Sequence, residues 1–210
     1  MKKTMTVNLK DIKIYISDFI EIIIKNRRKL ILTVLSVFGL WCGTRIYVTE
    51  PEIITNYFSH YIEILTQQKF TISFLILLSI NVIPVIITIK YGFFAFGSPI
   101  SILSPCLSGI FTGIINAWAF NNYRLNGVFL SLLSIIPFAV ITMIININSS
   151  NESIDLSKII SEVILINKTG SRGEVKSFFI KQIIAVATVS IMTLIQIIII
   201  KLLLNKLILI

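Results

Sequence analysis

Apolar positions in this chain come in long unbroken blocks, with none of the two-residue alternation that a half-buried strand would show. The blocks run from Leu30 to Val48, Thr71 to Ile89, Pro99 to Phe120, Gly127 to Ile145 and Gln182 to Ile200. As helices each would be about 28 to 33 Å long, the thickness of a bilayer core of about 30 Å. The pattern predicts an all-α bundle of five membrane-spanning helices. Asn121 to Asn126 is too short a link for anything but an antiparallel hairpin between the third and fourth blocks. Pro84 and Pro137 are expected to kink the second and fourth helices, and Asn81 to bond a neighbouring helix.

The third block stands apart from the others. Ser98 before Pro99 has the form of an N-cap followed by proline at the first helical position. Beyond it Ser101, Pro105, Gly109, Gly113 and Ala117 stand four apart, and Ser104, Ser108, Thr112 and Asn116 form a second row beside them. Residues at i and i+4 share a helix face, so this helix carries a double rail of small and polar side chains. Small faces let helix backbones approach closely in lipid, which makes the rail a packing or interaction surface. It could serve the protein's own bundle, a partner's helix or a conduction path.

Between the blocks the sequence is polar and charged. In residues 1–29, Ile12, Ile16, Phe19 and Ile23 share one helical face and Lys13, Ser17, Glu21 and Lys25 another, which describes a helix lying on the inner membrane surface or docked on a partner. The segment 49–70 has a similar amphipathic spacing in Tyr57, Phe58, Tyr61, Ile62 and Leu65 and is expected on the outer surface. Residues 146–181 carry Asn, Ser and charges around an amphipathic piece, Leu156 to Ile166, and are expected as a cytoplasmic loop. The chain thus divides into a basic amphipathic segment, 1–29, and a five-span membrane domain, 30–210.

Composition supports the same class: 55% of residues are hydrophobic, 14% are charged, and the mean hydropathy is +0.91. A soluble domain of 210 residues could not cover such a core with polar surface. The net charge of +9 would suggest nucleic acid in a soluble chain. Here it follows from membrane orientation, and no nucleic-acid partner is predicted. With the N-terminus inside, fourteen of the nineteen Lys and Arg fall on the inner side, which sets an N-in, C-out arrangement in the cell membrane.

The chemistry-bearing residues are few. None of the ten acidic residues lies in an apolar block, and the sole histidine, His60, belongs to the outer segment. No metalloprotease, nucleophile-elbow or Walker pattern is present. Cys42 and Cys106 have neither metal-ligand nor redox spacing. These absences point away from an enzyme, and no catalytic residue, metal or cofactor is predicted.

Two stretches, IPVIITIKYGFFAFGSPI and LSGIFTGIINAWAFNNYRLNGVFLSLLSIIP, resemble the central segment of the stage II sporulation protein M family. The matching positions are Gly97 and Pro99, Gly109 and Gly113, Asn121 or Asn122, Gly127, and Pro137. The resemblance implies a five-span scaffold without catalysis, placed in the septal membrane. Such a scaffold would recruit the peptidoglycan-degrading stage II sporulation proteins D and P during forespore engulfment. The rail and the outer segment 49–70 would then be its contact surfaces. A permease-like subunit of an export system is the competing expectation, with moving kinks at Pro84, Pro105 and Pro137 and the rail along its path.

Overall fold

The computed structural model describes residues 26–53, 56, 70–166 and 172–207, and these are helical apart from short turns. The amphipathic readings of 1–25 and 54–69, with His60, lie outside the described residues. Helix α1 spans Arg27–Thr49, α2 Phe70–Gly92 and α3 Ser98–Leu130; a π-helical turn at Ser131–Ile135 leads into α4, Ile136–Ile166, and α5 covers Arg172–Leu207. Four stretches are long and apolar enough to cross a membrane: Arg27–Thr49, Phe70–Gly92, Ser98–Leu165 and Gly173–Leu203. They are compatible with a multi-pass membrane protein.

The third of these stretches doubles back on itself. Arg124 has φ 47 and ψ −121, and it is the one non-glycine residue with positive φ among those described. That region is strained for an L residue with a Cβ, and it breaks the helix. Beyond it Gly127 lies so close to Ala119 that a Cβ would sit 2.0 Å from the Ala119 carbonyl oxygen. Lower in the two arms Ser101 pairs with Ser153 at 2.7 Å, and Ser98 with Ser157 at 3.1 Å. Partner numbers that fall on one arm as they rise on the other define an antiparallel hairpin, as the short link between the third and fourth blocks predicts.

The remaining helices alternate around this hairpin. At one end Arg28 of α1 pairs with Asp155 of α4, and Gly92 of α2 meets Ser153 of α4 and Phe178 of α5. At the other, Tyr47 of α1 accepts a hydrogen bond from Asn121 at 2.8 Å, and the Lys201 ammonium lies 5.8 Å from the Phe70 ring. Adjacent ends therefore come from alternate directions of the chain. The apolar core is divided among small clusters, the largest formed by Tyr47, Trp118, Ala119, Leu130 and Ile135.

The expected cytoplasmic loop at 146–181 is corrected by α4, which continues without interruption to Ile166, and by α5, which begins at Arg172. Asn146, Ser149, Ser150, Ser153 and Ser157 are buried, all at 3% exposure or less. Asn146, the pair Ser149 and Ser150, Ser153 and Ser157 recur every three to four residues, which puts them on one helix face, turned toward the other helices. A run that is polar in composition forms an inward polar stripe. In a bundle whose outside is apolar, hydroxyl and amide groups reach partners only by facing in.

Candidate functional site

The rail serves two neighbours, and the closer of them is α1. A Cβ on Gly109 would sit 2.1 Å from the Ser36 carbonyl oxygen, and one on Gly113 would sit 2.2 Å from that of Leu40. The approach is mutual: a Cβ on Gly39 would meet the Cys106 carbonyl oxygen at 2.1 Å, and one on Gly43 that of Ile110, also at 2.1 Å. Four glycines thus hold α1 and α3 backbone to backbone, running in the same direction. Ser36, Gly39, Gly43 and Tyr47 form the buried stripe on α1. Gly39-x-x-x-Gly43 is the visible signal for it, and the sequence reading passed over that spacing.

Of the three uses open to the rail, its glycine row takes the first, packing within the protein's own bundle. Gly109 and Gly113 are covered by the protein's own α1, and Ala117 packs on the Tyr47, Trp118 and Leu130 cluster. Pro105 is fully buried within α3.

Toward the Arg28 end, the serines of the rail join α3 to α2 and α4. The Ser104 hydroxyl lies 2.8 Å from the Pro84 carbonyl oxygen and 3.2 Å from Asn146 Oδ1, while Asn146 Nδ2 donates back to the Ser104 carbonyl at 3.2 Å. Ser101 Oγ lies 3.1 Å from the Gly97 carbonyl, and Ser153 Oγ donates to the Thr88 carbonyl at 2.7 Å. Gln182 of α5 closes the layer through Ser149, its Nε2 donating to the Ser149 carbonyl at 3.2 Å. Neutral bonds of this kind are individually modest between membrane helices, about 0.6 kcal/mol on average. Several in one layer fix the helix register.

Of the positions on which the sequence resemblance rests, Gly97, Gly109, Gly113 and Gly127 fall at tight backbone contacts. Gly97 closes the turn from α2 to α3, where a Cβ would lie 1.7 Å from the Tyr91 carbonyl oxygen. Pro99 opens α3 in its first turn, and Gly127 seats the return arm of the hairpin. Pro137 follows the π turn, in which Ile136 donates its N–H to the Ser131 carbonyl five residues back. The ring nitrogen of Pro137 has no hydrogen to offer Leu133, so the helix is relieved of its usual spacing just where the wide turn sits.

On the other side of α3, Ser108 and Thr112 of the second row line a cavity of about 60 Å³ between α2, α3, α4 and α5. Its polar wall is made by Asn81, Ser108, Thr112, Ser134, Thr142 and Gln196, and its apolar wall includes Phe111 and Trp118. No ionisable side chain lines it. As expected, Asn81 bonds across helices, its Nδ2 donating to Thr193 Oγ1 at 3.0 Å and to Gln196 Oε1 at 3.3 Å. Ser134 and Gln196 had no distinguishing sequence signal: each is one of several polar residues scattered through an apolar run, Ser131 standing three before the first and Thr193 three before the second. Asn116 stays on its own helix, donating to the Thr112 carbonyl at 2.9 Å, and its Oδ1 has no protein partner.

Among the described residues no group of His, Cys, Asp or Glu is arranged to hold a metal ion. The fold is that of an all-helical bundle with apolar helices of membrane-crossing length. Comparison with protein-family models, with curated proteins and with solved structures finds no match to this chain.

Proposed function

We propose that the chain is a five-span protein of the cell membrane, N-terminus inside and C-terminus outside, acting as a non-enzymatic scaffold of the stage II sporulation protein M kind. The observation that carries this reading is the placement of the family-like positions: Gly97, Gly109, Gly113 and Gly127 each sit where no side chain fits. The resemblance thus concerns residues that build the bundle. Counting the two arms of the hairpin separately turns four apolar stretches into five crossings. The orientation is supported by Arg27, Arg28, Lys29, Lys90, Lys158 and Lys181 at the end where α1 and α3 begin.

With the glycine rail closed by α1, a scaffold would meet its partners elsewhere. The segment expected outside, 49–70, the basic segment 1–29 and the lipid-facing perimeter are candidate surfaces, and stage II sporulation proteins D and P are the partners the resemblance suggests. In a sporulating host, replacing residues 54–69 by a Gly/Ser linker is expected to leave the protein inserted but abolish septal recruitment of the hydrolases. Fluorescence imaging of tagged partners checks this; normal recruitment would contradict the scaffold reading.

A permease-like subunit is the second reading, and the cavity favours it. Pro84 and the π turn border that space, and such helix irregularities are points where a helix can bend. A solute-export defect with normal engulfment in a deletion strain would support that reading over the first.

A further inference from the structure

We propose that the cavity between α2, α3, α4 and α5 is a binding site for one uncharged hydroxyl- or carbonyl-bearing group, engaged by Ser134. The inference is independent of both readings above.

Ser134 lines the cavity and is fully buried, and its hydroxyl has no protein partner. Ser36, Ser131 and Ser150 share that state, and of the four Ser134 alone lines the cavity; other hydroxyls bond the carbonyl four residues back, as Thr112 does to Ser108, Thr193 to Val189 and Ser190 to Val186. Ser134 stands instead in the π-helical turn, and such turns occur frequently at functional sites. A buried hydroxyl is satisfied by protein, by water or by a ligand.

Asn81 and Gln196 complete the site. Both donor hydrogens of the Asn81 amide are committed, one to Thr193 and one to Gln196 Oε1. Asn81 Oδ1 and Gln196 Nε2 remain, an acceptor and a pair of donors. Together with Ser134 they can bond a group that both gives and takes a hydrogen bond, or a carbonyl that only takes them.

The same wall excludes charge. No ionisable group lines the cavity, so an ion would lose its hydration with no counter-charge to replace it. The volume of about 60 Å³ is several times the roughly 10–15 Å³ that a single water needs; it admits the bonding group and the atoms next to it. Phe111 is the one exposed residue among those lining the cavity, which puts the mouth on its side of α3, where a longer molecule would trail into the lipid. A small solute from water and the head of a neutral lipid share this chemistry.

Trp118 in the apolar wall supplies the readout. Full-length protein carrying Trp41→Phe, so that Trp118 is the sole tryptophan, is placed in phosphatidylcholine nanodiscs and titrated with acetamide or with dioleoylglycerol. A saturable change of Trp118 emission is expected with one of them: acetamide identifies a solute site, dioleoylglycerol a lipid site. Ser134→Ala is expected to weaken that response about tenfold, while Ser134→Thr, which keeps the hydroxyl, retains it. Acetate and phosphatidic acid, the charged counterparts, should give no saturable change. The proposal is overturned if neither neutral probe gives a saturable response, if Ser134→Ala binds as the parent does, or if the charged probes bind equally well.

Discussion

Gly109→Ala is expected to destabilise the bundle by about 2 kcal/mol, a loss that follows from one methyl group. The new Cβ would stand 2.1 Å from the Ser36 carbonyl oxygen and 2.9 Å from the Leu40 nitrogen. Both are backbone atoms, so relief requires α1 to move away bodily. Overpacking of a tight contact costs about 1–3 kcal/mol and occasionally more. Replacing glycine by alanine in a helix returns up to about 1 kcal/mol of intrinsic propensity, and the net remains unfavourable because Gly39, Gly43 and Gly113 lose their close contact together. Reversible unfolding in mixed detergent micelles measures the difference. Leu103→Ala, at an exposed site on the same helix, is the control and should shift stability much less.

The second large effect is expected at Gly97→Ala, where the conflict is within a turn. Its Cβ would lie 1.7 Å from the Tyr91 carbonyl oxygen and 3.1 Å from that of Phe94. The carbonyl of Gly97 also receives the Ser101 N–H at 3.0 Å, and the Gly97 N–H donates to Phe94 at 2.9 Å. Any rearrangement that relieves the clash moves the start of α3, and with it Ser98 and Ser101 relative to Ser157 and Ser153 on α4. A loss of about 3 kcal/mol is expected, in the range of mutations that disturb both packing and a buried hydrogen-bond network. Hydrogen exchange should show the loss concentrated at residues 152–158; unchanged protection there would contradict this coupling.

The parts of the fold legible in the sequence are those set by transfer from water to an apolar phase. The apolar blocks mark helices because such residues are costly to expose and an unpaired backbone is costly in lipid. The hairpin at Asn121–Asn126 was legible from link length alone, though that Arg124 would take the positive φ was not. The rail's smallness was legible as well, but not its neighbour, since spacing shows that a helix can be approached and not by which helix. The run from Asn146 to Ser157 is polar in composition yet buried, because composition does not fix exposure. In a bundle with an apolar exterior the polar face turns inward, and only the positions of Ser101, Ser104 and Gln182 on other helices reveal it. The cavity was illegible for the same reason: Ser134 and Gln196 acquire meaning only when α4 and α5 are set beside Asn81.

The bundle's central feature is α1 seated on α3 through four glycines, and cutting the chain between α1 and α2 tests it most directly. A protease site placed within residues 54–69 allows the purified protein to be cleaved in detergent without touching either helix. If the account is right, the α1 fragment stays bound to the rest of the chain through size exclusion, and Gly109→Leu releases it. Release of α1 from the cleaved parent protein, or its equal retention in Gly109→Leu, would contradict it.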